Sequence, residues 1–348
     1  MKADRAPSRR KITFLVLGAL FLVIFVASVW AGAVKVSPFT LARAALHGMG
    51  FERIAPPAQQ DLIIVLHIRL PRVVTAILVG ASLSICGVAM QGLFRNPMAS
   101  PDILGITAGG SLGAVIAIST GLSSLGAFLL PVFAMIGALL ASILIYFISS
   151  SKGRTSLLFV VLAGLAVSSF FNGLVSGILL FSKQYEVSQF IFWTMGSFDG
   201  RMWKHIFVPL PILIPGLVLI LFFARDLNMF TLGEENAHSV GMNVEWVKRL
   251  VLGISALVTG TAIAIGGPVG FVGLLIPHLF RFLVGPDHRV LLPAAAIGGA
   301  TFLMLADLIG RMLMPPYEIR VGIITAIVGS PYFLYLIVRY QRKGFGSA

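Results

Sequence analysis

Charge is what this chain most lacks. Asp, Glu, Lys and Arg together make up 11% of its 348 residues, less than half of the roughly 25% usual in soluble globular domains. Hydrophobic residues make up 57%, and the mean hydropathy is +0.97. Too little polar surface remains to hold a chain of this length in water, which argues against a soluble enzyme, a disordered protein and a nucleic-acid binder. Cysteine is nearly absent. Cys86 alone excludes an internal disulfide framework and a cysteine-based metal cluster, and within its apolar run it reads as an inert small hydrophobe. No Gly-x-x-x-x-Gly-Lys-Ser/Thr stretch occurs, so the chain carries no P-loop. Its six histidines lack His-Glu-x-x-His spacing, and there is no Gly-x-Ser-x-Gly elbow. An enzymatic site of either kind has no foundation here.

Acidic residues are the scarcer sign, 13 against 26 Lys and Arg, for a net charge of +13. In a soluble protein that excess points to an acidic partner. In a membrane protein it holds the ends of spans on the cytoplasmic side, and the hydropathy favours this second reading.

Crossing a hydrocarbon core of about 30 Å takes roughly 20 apolar residues as helix. Ten runs qualify, at about 12–33, 63–92, 103–121, 125–150, 157–181, 205–224, 248–267, 270–285, 291–310 and 321–340. The seventh and eighth blur around Gly266-Gly267-Pro268. The first is too long for the 7–15-residue core of a signal peptide and reads as a retained span. The whole chain, 1–348, reads as a single all-α transmembrane domain, with a cytoplasmic tail at 1–11 and a cytoplasmic loop at 225–247. Placing the N-terminus inside puts sixteen of the 26 cations on the cytoplasmic side, Lys2, Arg5 and Lys152 among them, and both termini with them. Ten cations stay outside, Arg69, Arg72, Arg201, Arg311 and Arg320 among them.

Ionisable residues are almost absent from the runs, Asp307 excepted. A proton- or voltage-coupled carrier would keep them at mid-membrane, so uphill transport would draw its energy from another subunit. In the inner loop, Thr231 and Glu234 have capping-box spacing. Ala237 and Gly241 lie one turn apart, and Gly241 is placed to end the helix. That helix either docks into a partner's groove or lies on the surface in solvent. Gly105, Gly109 and Gly113, and Gly266 with Gly270, have the spacing of close helix packing. Ser168, Asn172 and Ser176 share one helical face, which serves a water-filled path or interhelical hydrogen bonds; Gln91 admits the same two readings. Pro71 reads as the start of a helix between Arg69 and Arg72, and Asp307 and Arg311 are spaced to pair. The outer arginines read either as interface anchors or as a landing surface for an acidic protein.

The run Arg69-Leu70-Pro71-Arg72, then Gln91-Gly92-Leu93-Phe94-Arg95-Asn96-Pro97-Met98-Ala99-x-Pro101-Asp102-x-Leu104-Gly105, resembles the FecCD permease family. So do Trp193-x-Met195-Gly196-Ser197, Leu232-Gly233-Glu234, Gly267-Pro268-x-Gly270-Phe271 and Pro316-x-Glu318-Ile319-x-Val321-Gly322. The likeness runs from about 60 to 340. It implies the membrane subunit of a type II ATP-binding-cassette importer for ferric siderophores, haem or cobalamin, with ten helices. It also implies a homodimer or pseudo-symmetric heterodimer, two cytoplasmic ATPase subunits that bind the ATP and Mg, and a periplasmic binding protein. No cofactor is expected in this chain. The resemblance makes Leu232, Gly233, Glu234, Ala237 and Gly241 ATPase contacts, and Arg69, Arg72 and Arg311 docking residues for the binding protein. Ser168, Asn172 and Ser176 become pathway residues. Arg320 departs from the family's usual proline and adds to the docking surface or sits at the membrane interface.

Overall fold

A computed structural model describes residues 6–32, 34, 37, 39–40, 43, 59–151 and 154–344. Lys2, Arg5 and Lys152 of the orientation count, and most of the 34–62 interruption, lie outside them. The ten apolar runs form helices in the order expected. Six are long enough to cross a membrane: Arg10–Trp30, Gln59–Leu93, Leu129–Ser149, Leu157–Leu180, Val244–Gly266 and His288–Met312. A seventh traverse is the pair Leu210–Phe222 and Ala224–Phe230, bent by 51°. Two apolar helices are shorter, Ile106–Ser119 and Val272–Val284, and the apolar stretch Val321–Leu336 opens the helix Val321–Gly344. They are numbered here as the first to tenth spans in chain order.

Breaks in the short spans follow from local sequence. A 3-10 turn at Pro101–Leu104 and Gly105 in the left-handed region (φ +64°) delay the third span. Gly267 (φ +71°) ends the seventh span, and Pro268 follows it, which separates the seventh span from the eighth where the hydropathy merges them. The second span is already helical from Gln59, so Pro71 does not begin it. Instead the helix widens to a π-turn over Ile64–Arg69, a local answer to an interior proline. Leu70 bonds back five residues to Val65. Pro71 has no N–H for the next such bond, and the Leu66 carbonyl accepts the Trp203 indole N–H instead, at 2.8 Å.

The second span is the core of the bundle, with 83% of its apolar window buried against 22% for the first span. Glycines permit that burial. A Cβ on Gly80 would stand 2.3 Å from the Gly299 carbonyl oxygen of the ninth span, and one on Gly87 2.0 Å from that of Gly273 in the eighth. The third and fourth spans meet in the same way through Gly109, Gly113 and Gly137, so the predicted small-residue faces serve internal packing. Gly270, by contrast, has open space around its Cβ position. Cys86 is fully buried in the second span.

Candidate functional site

A cavity of about 700 Å³ lies among the second, third, fifth, seventh, eighth and tenth spans. Its wall is largely apolar but carries a polar arc of Thr107, Ser111, Ser168, Asn172 and Thr259. Among the described lining residues Asp102 is the one ionisable side chain. The Thr107 hydroxyl donates to the Asp102 carboxylate, tying the 3-10 turn to the third span across Gly105. Phe271 faces the same cavity with φ +68°, a left-handed conformation that a bulky residue keeps only where its surroundings over-determine it. Here Gly329 supplies the constraint: a Cβ on it would come 2.4 Å from that of Phe271.

The polar stripe on the fifth span divides. Ser168 and Asn172 reach the cavity wall, whereas Ser176 does not and donates its hydroxyl to the Asn172 carbonyl at 2.9 Å. Ser176 stands one turn past this cavity. Gln91 lies on no cavity wall; its amide reaches the Leu274 carbonyl at 3.4 Å, an interhelical contact.

At the end of the bundle that carries the 225–247 loop, a six-residue helix spans Glu234–Ser239. Its cap is Gly233 (φ +102°), not Thr231, whose hydroxyl closes the preceding helix on the Asn228 carbonyl. Glu234 makes no capping box because its carboxylate is held by Lys248 at 2.7 Å. Gly241 (φ +88°) does end the helix: Met242 N–H bonds to the Ala237 carbonyl and Gly241 N–H to that of His238, the Schellman pattern. Ala237 is fully buried against its own chain, so it seats the helix and offers no outward contact. Leu232 and Val240 are exposed beside it. Lys248, 2% exposed, also donates to Glu245 (3.2 Å) and to the Thr155 carbonyl (3.2 Å). One ammonium thus fastens the short helix, the Arg154–Thr155 strand, which pairs antiparallel with Ser150–Ser151, and the start of the seventh span. The bent end of the sixth span is fixed as well. Asn228 donates to Asp287 at 2.8 Å and accepts from the His288 N–H at 2.9 Å. The Asn228 bond is the main reason the Asp287 carboxyl lies below its ordinary range, ahead of the Arg289 N–H and the charges of Arg289 and Arg10.

Three of the arginines at the opposite end, Arg69, Arg72 and Arg311, are buried and engaged within the chain. Arg72 is 7% exposed. Its Nε lies 3.0 Å from both Asp307 oxygens, and Nη1 lies 2.8 Å from Glu318 and 3.4 Å from Asp199. Arg311, 4% exposed, pairs with Asp307 at 3.2 Å and donates to the Ser28 and Ala31 carbonyls. Arg69 donates to the carbonyls of Val29, Trp30 and Val34 at the end of the first span. Desolvating three cations demands such partners, and the chain's own carboxylates and carbonyls supply them. Arg320 differs. It is half-exposed, with its guanidinium 4.9 Å from the centre of the Phe192 ring.

Sequence reasoning assigned no role to Asp102, Thr107, Ser111, Thr259 or Phe271. Thr107 and Ser111 repeat the i, i+4 polar spacing that singled out Ser168 and Asn172, so the same signal was available for them. Phe271 carried no such mark, because its importance lies in its backbone.

Comparison with known proteins places the chain in context. A model of the FecCD transport family matches residues 20–339. The haemin transport system permease protein of Yersinia pestis is 42% identical over 81% of this chain and 85% of its own. The cobalamin import system permease protein of Halobacterium salinarum is 42% identical over 79% of this chain and 73% of its own. The Fe(3+) dicitrate transport system permease protein of Escherichia coli is 38% identical over 80% of this chain and 86% of its own. Among solved structures, an inward-facing metal-chelate type ABC transporter superposes with a TM-score of 0.82 at 31% identity, covering 94% of this chain and 99% of that one.

Proposed function

Because the chain belongs to the FecCD transport family, we propose that it is the membrane-spanning permease subunit of an ATP-binding-cassette importer whose cargo is an iron chelate, a ferric siderophore first. Haem or cobalamin, the cargo classes named for two relatives, is the alternative on the same architecture. The subunit sits in the cytoplasmic membrane with both termini inside. It pairs with a second copy of itself, receives cargo from a periplasmic binding protein, and is driven by two cytoplasmic ATPase subunits that bind ATP and Mg. The chain itself supplies route and gating, with no covalent chemistry.

The observation that carries this reading is the fastening at Lys248. Leu232, Gly233, Glu234 and Gly241 form the seat for the ATPase, with Ala237 anchoring it from behind. Glu234 holds Lys248 at 2.7 Å. Thr259, on the cavity wall, stands on the same helix about 16 Å further along at 1.5 Å per residue. A push on the short helix is therefore delivered along a rigid rod to the wall that Ser168 and Asn172 complete. At the other end half-exposed Arg320 is available to an acidic binding protein. Arg69, Arg72 and Arg311 shape the surface around it, and a docking carboxylate would reach Arg72 only by displacing Glu318 or Asp199.

The test is uptake into vesicles holding the purified permease, with and without its ATPase and binding protein, using a ferric hydroxamate, haem and cobalamin in turn. ATP-dependent uptake requiring all components is expected, fastest for the ferric chelate. Uptake driven by an ion gradient without the ATPase would make the protein a secondary carrier and end this reading. Faster haem or cobalamin uptake would change the cargo alone.

A further inference from the structure

Of the described arginines at the end opposite the 225–247 loop, the ion pairs and carbonyls above account for Arg69, Arg72 and Arg311, and aromatic rings for Arg320 and for Arg43, which lies 4.3 Å from the centre of the Phe39 ring. Arg201 is left over. Its Nε is buried with no hydrogen-bond partner among the described residues, and its nearest carboxylate, Asp199, is engaged by Arg72 at 3.4 Å. Leaving a guanidinium N–H buried and unpaired is costly, so the arrangement calls for an acceptor that the chain does not supply.

Arg201 lines an apolar crevice of about 70 Å³ between the fourth, sixth and seventh spans, walled by Phe128, Val132, Val208 and Ile212. Two further nitrogen groups stand at the same rim. The Lys204 ammonium lies 5.9 Å from the centre of the Phe128 ring. His205, which also lines the crevice, accepts the Met202 N–H at Nδ1 (3.1 Å) and so carries its proton on Nε2. Below the rim, Val132 and Ile136 on the fourth span and Val208, Ile214 and Val218 on and before the sixth are exposed. That is the surface a hydrocarbon environment covers.

A cationic rim above an apolar slot, on an exposed apolar face, fits an amphiphile with a negative head. We propose that Arg201, Lys204 and His205 bind the phosphodiester of an anionic phospholipid, with an acyl chain against Phe128, Val132 and Ile212. Two cations meet one phosphate by charge complementarity, and a crevice this shallow orders only part of one chain. The site is separate from the cavity and independent of which cargo crosses it.

The full-length protein, purified in neutral detergent, is titrated with spin-labelled phosphatidylglycerol and phosphatidylcholine, and the immobilised fraction is measured. A juxtamembrane cation contributes about 1 kcal/mol toward anionic lipid, so Arg201→Gln should weaken the phosphatidylglycerol preference about fivefold, while Arg201→Lys retains most of it. Val132→Trp fills the crevice at a partly exposed position and leaves every charge in place. It should displace the lipid while leaving any weak binding of inorganic phosphate unchanged. Melting curves in lipid-free detergent separate lost binding from lost folding. Equal phosphatidylglycerol retention by the parent and Arg201→Gln would overturn the proposal. So would a preference that survives Val132→Trp but is abolished by millimolar inorganic phosphate, which would mark a free-anion site. Loss of binding-protein capture in Arg201→Gln with unchanged lipid preference would assign the arginine to protein docking instead.

Discussion

Replacing Asp307 by alanine would leave two buried guanidinium groups without their shared carboxylate. Arg72 would keep Glu318 at 2.8 Å and Asp199 at 3.4 Å, both more exposed than Asp307. Arg311 would retain the carbonyls of Ser28 and Ala31. Removing one partner from a buried ion pair costs about 3–5 kcal/mol, and the residual partners of Arg72 place Asp307→Ala near the lower figure. Globular proteins unfold with an entropy of about 2.1 cal/mol/K per residue. On that scale, about 3 kcal/mol lowers the midpoint of a chain this long by about 4 °C. The assay is a thermal melt of the purified protein at one detergent concentration and scan rate. The comparison that isolates the electrostatic cause is the triple variant Arg72→Met, Asp307→Leu, Arg311→Met. It removes all three charges and should recover most of the loss, because desolvation falls away together with the attraction. A single variant that melts within about 1 °C of the parent, or a triple variant less stable than the single, would refute the reasoning. The same network decides how docking is tested. Charge reversal at Arg72 or Arg311 would damage the fold first, so Arg320→Glu is the informative variant.

Arg320→Glu should weaken capture of the loaded binding protein, and most at low salt, where exposed charges are least screened; pull-down across a salt series checks it. Lys248→Met should cut ATP-driven uptake in vesicles while ATPase activity of the assembled complex persists, since the fastening among helix, strand and seventh span is lost. Gly241→Val forces a β-branched side chain into φ +88°, a conformation costing on the order of 1–2 kcal/mol, and should uncouple in the same assay. Asn228→Ala removes the main bond that lowers the Asp287 pKa. A carboxylate held low contributes stability above its ordinary pKa, near 4, and loses that contribution as pH falls through the lowered value. The melting gap between parent and Asn228→Ala should therefore be widest at neutral pH and narrow below about pH 4, leaving the part due to the lost acceptor for the His288 N–H.

The ten spans were legible because a hydrocarbon environment imposes one length and one polarity on every traverse. Gly241 as a helix end and the Asp307–Arg311 pair were legible because both are local in sequence. The fate of the arginines was not. Whether Arg72 faces solvent or Asp307 depends on residues 235 positions apart, and no periodicity carries that information. Thr231 and Glu234 were misread for a related reason. Capping-box spacing describes what two side chains can do in isolation, and Lys248, fourteen residues later, offered Glu234 a stronger partner. On the fifth span the stripe is longer than the cavity it borders, because helical spacing carries no information about where a cavity ends.

The third and eighth spans contain 14 and 13 helical residues, about 21 and 20 Å at 1.5 Å per residue. Both fall short of a hydrocarbon layer of about 30 Å. The remaining depth is crossed by the Pro101–Leu104 turn and by the Gly267–Phe271 segment, irregular backbone that a membrane tolerates only inside protein or beside water. These two segments put backbone polar groups at a depth where lipid cannot satisfy them, so the neighbouring spans and the cavity they border must do so.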